Sequence, residues 1–206
     1  MHSPVNKIVI ASGNKGKISE INSVLADQAV ELVSKNKFNI EDPEETGLSF
    51  IENAILKARY SSGLSGLPAL ADDSGLVVES LKGQPGIYSS RYAGIDADDK
   101  QNVTKLLKDM EGFSGDKRSA YFISVIAFVL HENDPTPVIA EARWHGQVAM
   151  SPSGSNGFGY DPVFYLDSHQ CTAAELDSKL KNTLSHRAQA LKKFSALAKD
   201  LHLFHN

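Results

Sequence analysis

Four stretches of this chain carry side chains whose types and spacing could do phosphate chemistry. Asp72-Asp73-Ser74-Gly75 places two adjacent carboxylates, a hydroxyl and a glycine between the apolar runs Ala69–Ala71 and Leu76–Val78. Carboxylates at a strand end suit a hard cation such as Mg²⁺ and the activation of water. Glu44 and Glu45, in the acidic stretch from Asn39 to Gly47, could add ligands. Asp-Ser-Gly is also ordinary turn chemistry, so a plain turn fits the same residues. Ser12-Gly13-Asn14-Lys15-Gly16-Lys17 lies where an apolar run meets a helical pattern. Backbone N–H groups at a helix start attract anions, and Lys15 and Lys17 add positive charge. Gly13 and Gly16 let the backbone come close. The segment is neither a Walker A loop nor a G-x-G-x-x-G fingerprint. A strand-to-helix turn with solvated lysines would read the same way.

The third stretch is Ser155 to Pro162, with Gly157-Phe158-Gly159-Tyr160-Asp161 at its centre. Glycines there free the backbone to meet a flat ligand, the aromatics can stack on it, and Asp161 can accept from a ring N–H. Equally, the aromatics could plug the core of a hairpin loop. The fourth comprises Lys181 and Ser185-His186-Arg187. Cations at a helix start oppose the macrodipole unless an anion or an acid lies opposite. An ordinary solvated helix face is the competing account. The remaining histidines show no metal-ligand spacing, and Cys171 and the serines have no triad-like partner.

These residues need elements to hold them. Lys7–Ala11 reads as a buried strand, and Ile18, Ile21, Val24 and Leu25 recur at helical spacing after it. A second strand is expected over Val30–Ser34. Ser49-x-x-Glu52 has the capping-box pattern, followed by a helix with Leu48, Ile51, Ile55 and Ala58 on its apolar face. Gly63, Gly66 and Pro68 should end that helix. Ala69–Ala71 and Leu76–Val78 read as two short strands around the Asp72–Gly75 turn. Gln84–Gly94 reads as loop and Asp98–Met110 as helix. Tyr121–His131 and Pro137–Met150 read as a hairpin, then Ser151–Tyr160 as loop and Pro162–Leu166 as a short strand. Thr172–Leu180 and Leu184–Leu203 are expected to be helical, the second with Leu184, Ala188, Leu191, Ala198 and Leu201 on one face. The mixture argues for an α/β fold with a mixed sheet, one continuous sheet carrying two lobes.

The 206 residues are 41% hydrophobic and 22% charged, ordinary for a globular protein and far from collagen or a disulfide miniprotein. Lys and Arg number 21 against 25 Asp and Glu, a net charge of −4. That excludes a basic nucleic-acid coat but allows a local pocket for a small anion. One cysteine cannot form an internal disulfide. The longest apolar stretch, Tyr121–Leu130, is too short to span a bilayer. MHSPVNKIVIA lacks the apolar run of a secretory signal, so cytoplasm is the expected compartment.

Taken together, the motifs resemble one family. SGNKGK (Ser12–Lys17), EETGLSFIENA (Glu44–Ala54), ADDSG (Ala71–Gly75), PGIYSSRYA (Pro85–Ala93), GFGYDP (Gly157–Pro162) and SHR (Ser185–Arg187) occur in the order found in the inosine triphosphate pyrophosphatases, the HAM1-like or RdgB-like enzymes. Ser12 stands where relatives often have Thr, which keeps the hydroxyl. The resemblance implies a single domain over 1–206, an elongated mixed sheet with helices on both sides, and two lobes with a central cleft. It implies Mg²⁺-dependent hydrolysis of ITP, dITP and XTP to the monophosphate and pyrophosphate by a cytoplasmic homodimer. Ser12, Gly13, Asn14, Lys15, Gly16 and Lys17 would hold the triphosphate. Glu44 and Asp73 would bind the metal, with Asp73 the proton acceptor for water, and Ser74 would touch the substrate. Phe158, Gly159, Tyr160 and Asp161 would stack on and read the base. Lys181, His186 and Arg187 would contact base and phosphate. From the residues alone, a non-catalytic nucleotide sensor and a Maf-like pyrophosphatase for pyrimidine or methylated nucleotides remain alternatives.

Overall fold

The first strand, β1 (Lys7–Ile10), buries Ile8, Val9 and Ile10 in succession, the pattern of a strand covered on both faces. The structure is a computed structural model that describes residues 4–26 and 28–204. β1 pairs in parallel with β2 (Glu31–Ser34), Ile10 opposite Ser34, and with β3 (Ala69–Val78), Ile10 opposite Leu70. Parallel neighbours need helical crossovers. Those are α1 (Lys15–Leu25) and α2 (Phe50–Ser65). After α3 (Asp99–Asp109) come β4 (Ser119–Val129), β5 (Val138–Val148), β6 (Phe164–Leu166) and β7 (Cys171–Thr172). α4 (Ser178–Leu184) and α5 (His186–Asp200) close the chain. The strands form one seven-stranded sheet in the order β2-β1-β3-β4-β5-β6-β7, and β6 runs antiparallel to both neighbours. The expected mixed sheet is therefore present.

The chain divides into two compact units. The first comprises Met1–Asp73, Ser124–Ala142 and Arg187–Asn206. Its core gathers Ile8, Ile10, Ile21, Leu70, Phe128 and Phe194. The second comprises Ser74–Ile123 and Arg143–His186, around Leu106, Met110, Phe122, Trp144 and Phe164.

Four expectations fail. First, β3 is one continuous ten-residue strand, not two strands around a turn. Asp and Gly disfavour strands, but Asp72 and Asp73 each find charged partners, so their burial is tolerated. Second, α2 buries Asn53, Ala54, Lys57, Ala58, Ser61 and Ser62, whereas Leu48 and Ile51 are exposed. Small residues and one paired lysine decide the inward face, not the largest apolar side chains. The cap itself forms: Ser49 Oγ accepts from Glu52 N at 3.2 Å, while Glu52 Oε2 accepts from Leu48 N at 2.9 Å. Third, Thr172–Leu180 is not a helix. Thr172 pairs with Tyr165 in the sheet, and the Ala173 amide donates to the Phe164 carbonyl. A helix begins only after Asp177, whose side chain accepts from Leu180 N. Here sheet pairing overrides local periodicity. The last helix also starts later than expected. Extended Ser185 ends α4, which leaves His186 and Arg187 as the first residues of α5.

Candidate active site

The glycine-rich loop follows β1 and turns into α1 at Asn14. The Asn14 carboxamide accepts from Gly16 N at 2.9 Å and Lys17 N at 3.1 Å, while its own amide donates to Ser12 Oγ at 3.2 Å. Amides that an anion could use are thus held by the loop's own side chains. Asn14 explains the helix start, since a side chain that caps two amides stabilises the first turn. Gly13 is exposed. The Lys15 side chain lies outside the described residues. Lys17 Nζ reaches Asp72 Oδ2 at 2.7 Å.

Successive strand residues point to opposite faces, so Asp72 and Asp73 enter different surroundings. The two adjacent acids do not form one pair. Asp72 is buried and takes Lys17, Arg187 Nε at 3.4 Å and the Ser124 hydroxyl at 2.5 Å. Arg187 in turn donates to Glu20 at 2.8 Å. Burial works against ionisation of Asp72, but Lys17 and Arg187 outweigh it and hold the carboxyl well below the usual carboxylate range. The Arg187 guanidinium at the start of α5 therefore faces two acids. That satisfies the requirement set by the macrodipole without any ligand.

Asp73 Oδ1 accepts from Lys57 Nζ at 2.5 Å, and Lys57 reaches Glu45 at 3.0 Å. Burial pushes the Asp73 carboxyl up; Glu45 and Asp72 add to this and Lys57 opposes it. Burial works to lower the Lys57 ammonium, yet Asp73 and Glu45 raise it on balance. A buried carboxylate of raised pKa is a better base at neutral pH than a solvated one. Of the two glutamates, the structure brings Glu45 to this cluster, while Glu44 is exposed. Sequence reasoning missed Lys57. Its signal was a lone lysine in register with Asn53, Ala54, Ala58 and Ser61, a stripe of small residues that has to face inward.

In the second unit, Gly157 has φ +78°, and a Cβ there would collide with Asp161 Oδ2 and lie 2.8 Å from Lys181 Nζ. Only glycine allows this turn. Asp161 is buried; its Oδ2 accepts from Phe158 N at 2.8 Å and forms an ion pair with Lys181. Lys181 Nζ also stands 5.3 Å from the Phe158 ring centroid. Phe158 is 42% exposed. Tyr160 is buried in the core and its hydroxyl donates to the Ser89 carbonyl at 2.8 Å. The two aromatics therefore split the readings considered for them: Tyr160 plugs the core, and Phe158 offers a face. The Gly159 amide donates to Asp99 at 2.7 Å. His186 is buried and stacks on Phe122, with centroids 4.7 Å apart and planes 11° apart. Ser74, half-buried, follows Asp73 as the first residue of this unit.

Comparison with known proteins covers nearly the whole chain. The model of the Ham1 family matches residues 8–197. The chain is 55% identical over 196 residues to the dITP/XTP pyrophosphatase of Legionella pneumophila (strain Lens), spanning 95% of this chain and 100% of that one. It is 50% identical, with the same coverage, to the dITP/XTP pyrophosphatase of Photobacterium profundum. Among solved structures, a HAM1 protein from Coxiella burnetii superposes with a TM-score of 0.91 at 47% identity, over 95% of this chain and 100% of that one. The Staphylococcus aureus Ham1 protein gives 0.85 at 36% identity, with the same coverage.

Proposed function

Because the chain belongs to the Ham1 family, we propose that it is a nucleoside-triphosphate pyrophosphatase. It hydrolyses non-standard purine nucleoside triphosphates (ITP, dITP and XTP) to the monophosphate and pyrophosphate. The effect is to keep such nucleotides out of the pool from which DNA and RNA are made. Residues 1–206 act as one functional domain. Full-length similarity to dITP/XTP pyrophosphatases supports the substrate class. The observation that carries the chemistry is Asp73, a buried carboxyl of raised pKa with one oxygen fixed on Lys57.

A divalent metal is part of this reading. Among the described residues, no three acidic, histidine or cysteine side chains form a ready cage. Mg²⁺ in nucleotide enzymes is usually held by one or two carboxylates, with substrate phosphates and water completing its shell. Asp73 and Glu45, joined through Lys57, supply hard carboxylate oxygens, and Glu44 adds an exposed carboxylate one residue before Glu45, so the donor chemistry fits. Bound there, Mg²⁺ would neutralise phosphate charge and acidify water. Ser12 to Lys17 bind the triphosphate. Lys57 keeps Asp73 oriented by holding Oδ1, which leaves Oδ2 to take the proton from water attacking the α-phosphorus. Ser74 contacts the substrate. In the second unit, Phe158 stacks on the purine while Asp161, positioned by Lys181 and the turn at Gly157 and Gly159, accepts from a ring N–H. Tyr160 and His186, both buried in this unit, support the region by packing in its core, while Arg187 holds Asp72 in the first unit. ATP carries an amine where ITP carries a carbonyl, so donors aimed at that oxygen would meet donors in ATP. Mispaired buried polar groups discriminate by up to about 10⁴-fold.

The family resemblance extends the reading to a cytoplasmic homodimer. No helix among the described residues is long and apolar enough to cross a membrane. The test is pyrophosphate release from a panel of nucleoside triphosphates with and without Mg²⁺. ITP, dITP or XTP turned over far faster than ATP or GTP, only with metal, supports the reading. Equal rates on all purines overturn it.

A further inference from the structure

Lys35 is a buried lysine that no motif contains. It follows β2 directly, and β2 runs parallel to β1 with Ser34 opposite Ile10. The glycine-rich loop follows β1, so Lys35 and that loop leave the sheet at the same carboxyl edge. Open parallel sheets place their ligand sites at this edge. The Lys35 side chain is only 4% exposed. A lysine charge is rarely buried to that degree unless it is paired. Its Nζ lies 2.7 Å from Asp42 Oδ1, on a residue that is itself largely exposed. Its stem faces the loop across the space of one methyl group: a Cβ at Gly13 would sit 3.7 Å from Lys35 Cε. Ser34 Oγ accepts from Asn36 N at 3.3 Å, and the Ile40 amide donates to the Lys35 carbonyl at 3.3 Å. The backbone on both sides of Lys35 is therefore fixed, which limits where its side chain can go.

Asp42 lies in the same acidic stretch as Glu44 and Glu45, and Glu45 reaches Asp73 through Lys57. One ion pair thus links the glycine-rich loop, by the Lys35 stem beneath Gly13, to the acidic loop. We propose that Lys35 and Asp42 form a positioning clamp that holds the Ser12–Lys17 loop and the acidic loop in register for nucleotide binding. Lys35 acts through Gly13 and Asp42; it is not a group that touches the reacting atoms. This rests on the function proposed above.

The clamp predicts a split between binding and turnover. Lys35→Met and Asp42→Asn should each raise KM for ITP about 5- to 20-fold while kcat changes less than about threefold, because positioning acts on binding rather than on the base. The double variant should be no worse than the worse single, since both break one interaction. Lys35→Arg should recover most of the loss. Asp42→Asn is exposed and keeps its shape, so it remains informative if Lys35→Met fails to fold. A fall in Tm with KM unchanged in the folded variants would overturn the clamp, as would a KM effect of Lys35→Met that Asp42→Asn does not reproduce. Calorimetric titration with ITP in metal-free buffer reads the same affinity loss without turnover. Absence of pyrophosphate release by the wild type would sink the functional reading, while this titration would still decide the clamp.

Discussion

The acid–cation cluster of the first unit and the Gly157–Asp161 loop of the second handle charge in opposite ways. In the first, Asp72, Asp73, Glu20 and Glu45 share Lys17, Lys57 and Arg187, and all of the acids but Glu20 and Glu45 are buried. In the second, one ion pair, Asp161–Lys181, lies beside one exposed aromatic ring. A cluster in which each charge already has a partner keeps its shape before substrate arrives, which is the preorganisation that charge stabilisation needs. An exposed ring beside a buried carboxylate suits a flat, neutral base with one N–H to recognise. The same contrast recurs inside the first cluster. Asp72 is held ionised by its cations, whereas Asp73 is pushed toward protonation by burial. One is suited to hold structure, the other to take a proton.

The largest effect should follow from removing the first cluster's structural member. Asp72→Ala leaves Lys17 and Arg187 short of an acid in a buried place. Breaking a buried pair by removing one partner costs about 3–5 kcal/mol, read by denaturant unfolding. The sign with pH follows from the depressed carboxyl. Asp72 stabilises the fold above the unfolded carboxylate range and loses that contribution only as pH falls through its lower folded value. Wild type and Asp72→Ala should therefore differ most near neutral pH and converge in strong acid.

Asp73→Asn should behave in reverse. Its kcat should fall about 10²-fold or more, the size of a lost general base. Its folded carboxyl is raised, so its favourable contribution is present only below the unfolded range and is lost as pH rises through the folded value. At neutral pH the ionised form is a cost, and Asn removes it. Asn also leaves the buried Lys57 with Glu45 as its remaining acid, so Tm should fall much less than in Asp72→Ala, as read in a thermal scan. Equal stability losses in the two variants would erase the distinction between these neighbours.

In the second unit, Phe158→Ala should raise KM about 5- to 150-fold, the equivalent of the 1–3 kcal/mol that base stacking contributes. Tyr160→Phe should instead act on stability, since its hydroxyl bonds a backbone carbonyl in the core. The sharper form of this test is discrimination. Phe158→Ala should shrink the ITP-to-ATP ratio of kcat/KM, whereas Lys15→Ala, in the loop proposed to hold the triphosphate, should lower both substrates alike. The smallest effect expected is a displacement of the pH profile. Lys57 opposes the upward push on Asp73, so Lys57→Met should move the acidic limb of kcat/KM to higher pH.

Much of this was legible in the sequence. The β1–loop–α1 start followed from the Ile-Val-Ile run, the Ser12–Asn14 turn residues and the helical spacing of Ile18, Ile21, Val24 and Leu25. The mixed sheet followed from strands that alternate with helical patterns. What failed depended on tertiary partners. Asp72 and Asp73 read as turn chemistry because their stabilising cations come from Lys17, Lys57 and Arg187, distant in sequence. The inward face of α2 was misread because Leu48 and Ile51 outrank Ala54 and Ala58 in hydrophobicity while the paired Lys57 turns the helix the other way. The acids that face Arg187, Glu20 and Asp72, were not legible for the same reason, since they lie far from it along the chain.

The division of labour between the two regions is tested most directly by measuring kcat/KM for pyrophosphate release from dITP, XTP, ITP, ATP and GTP, with Mg²⁺, for wild type and Asp73→Asn together. The account predicts rapid release from dITP, XTP and ITP, far slower release from ATP and GTP, and a loss of about 10²-fold or more on every substrate in Asp73→Asn with the preference preserved. Comparable rates on ATP and ITP in the wild type, or an Asp73→Asn variant of near-normal kcat, would contradict it.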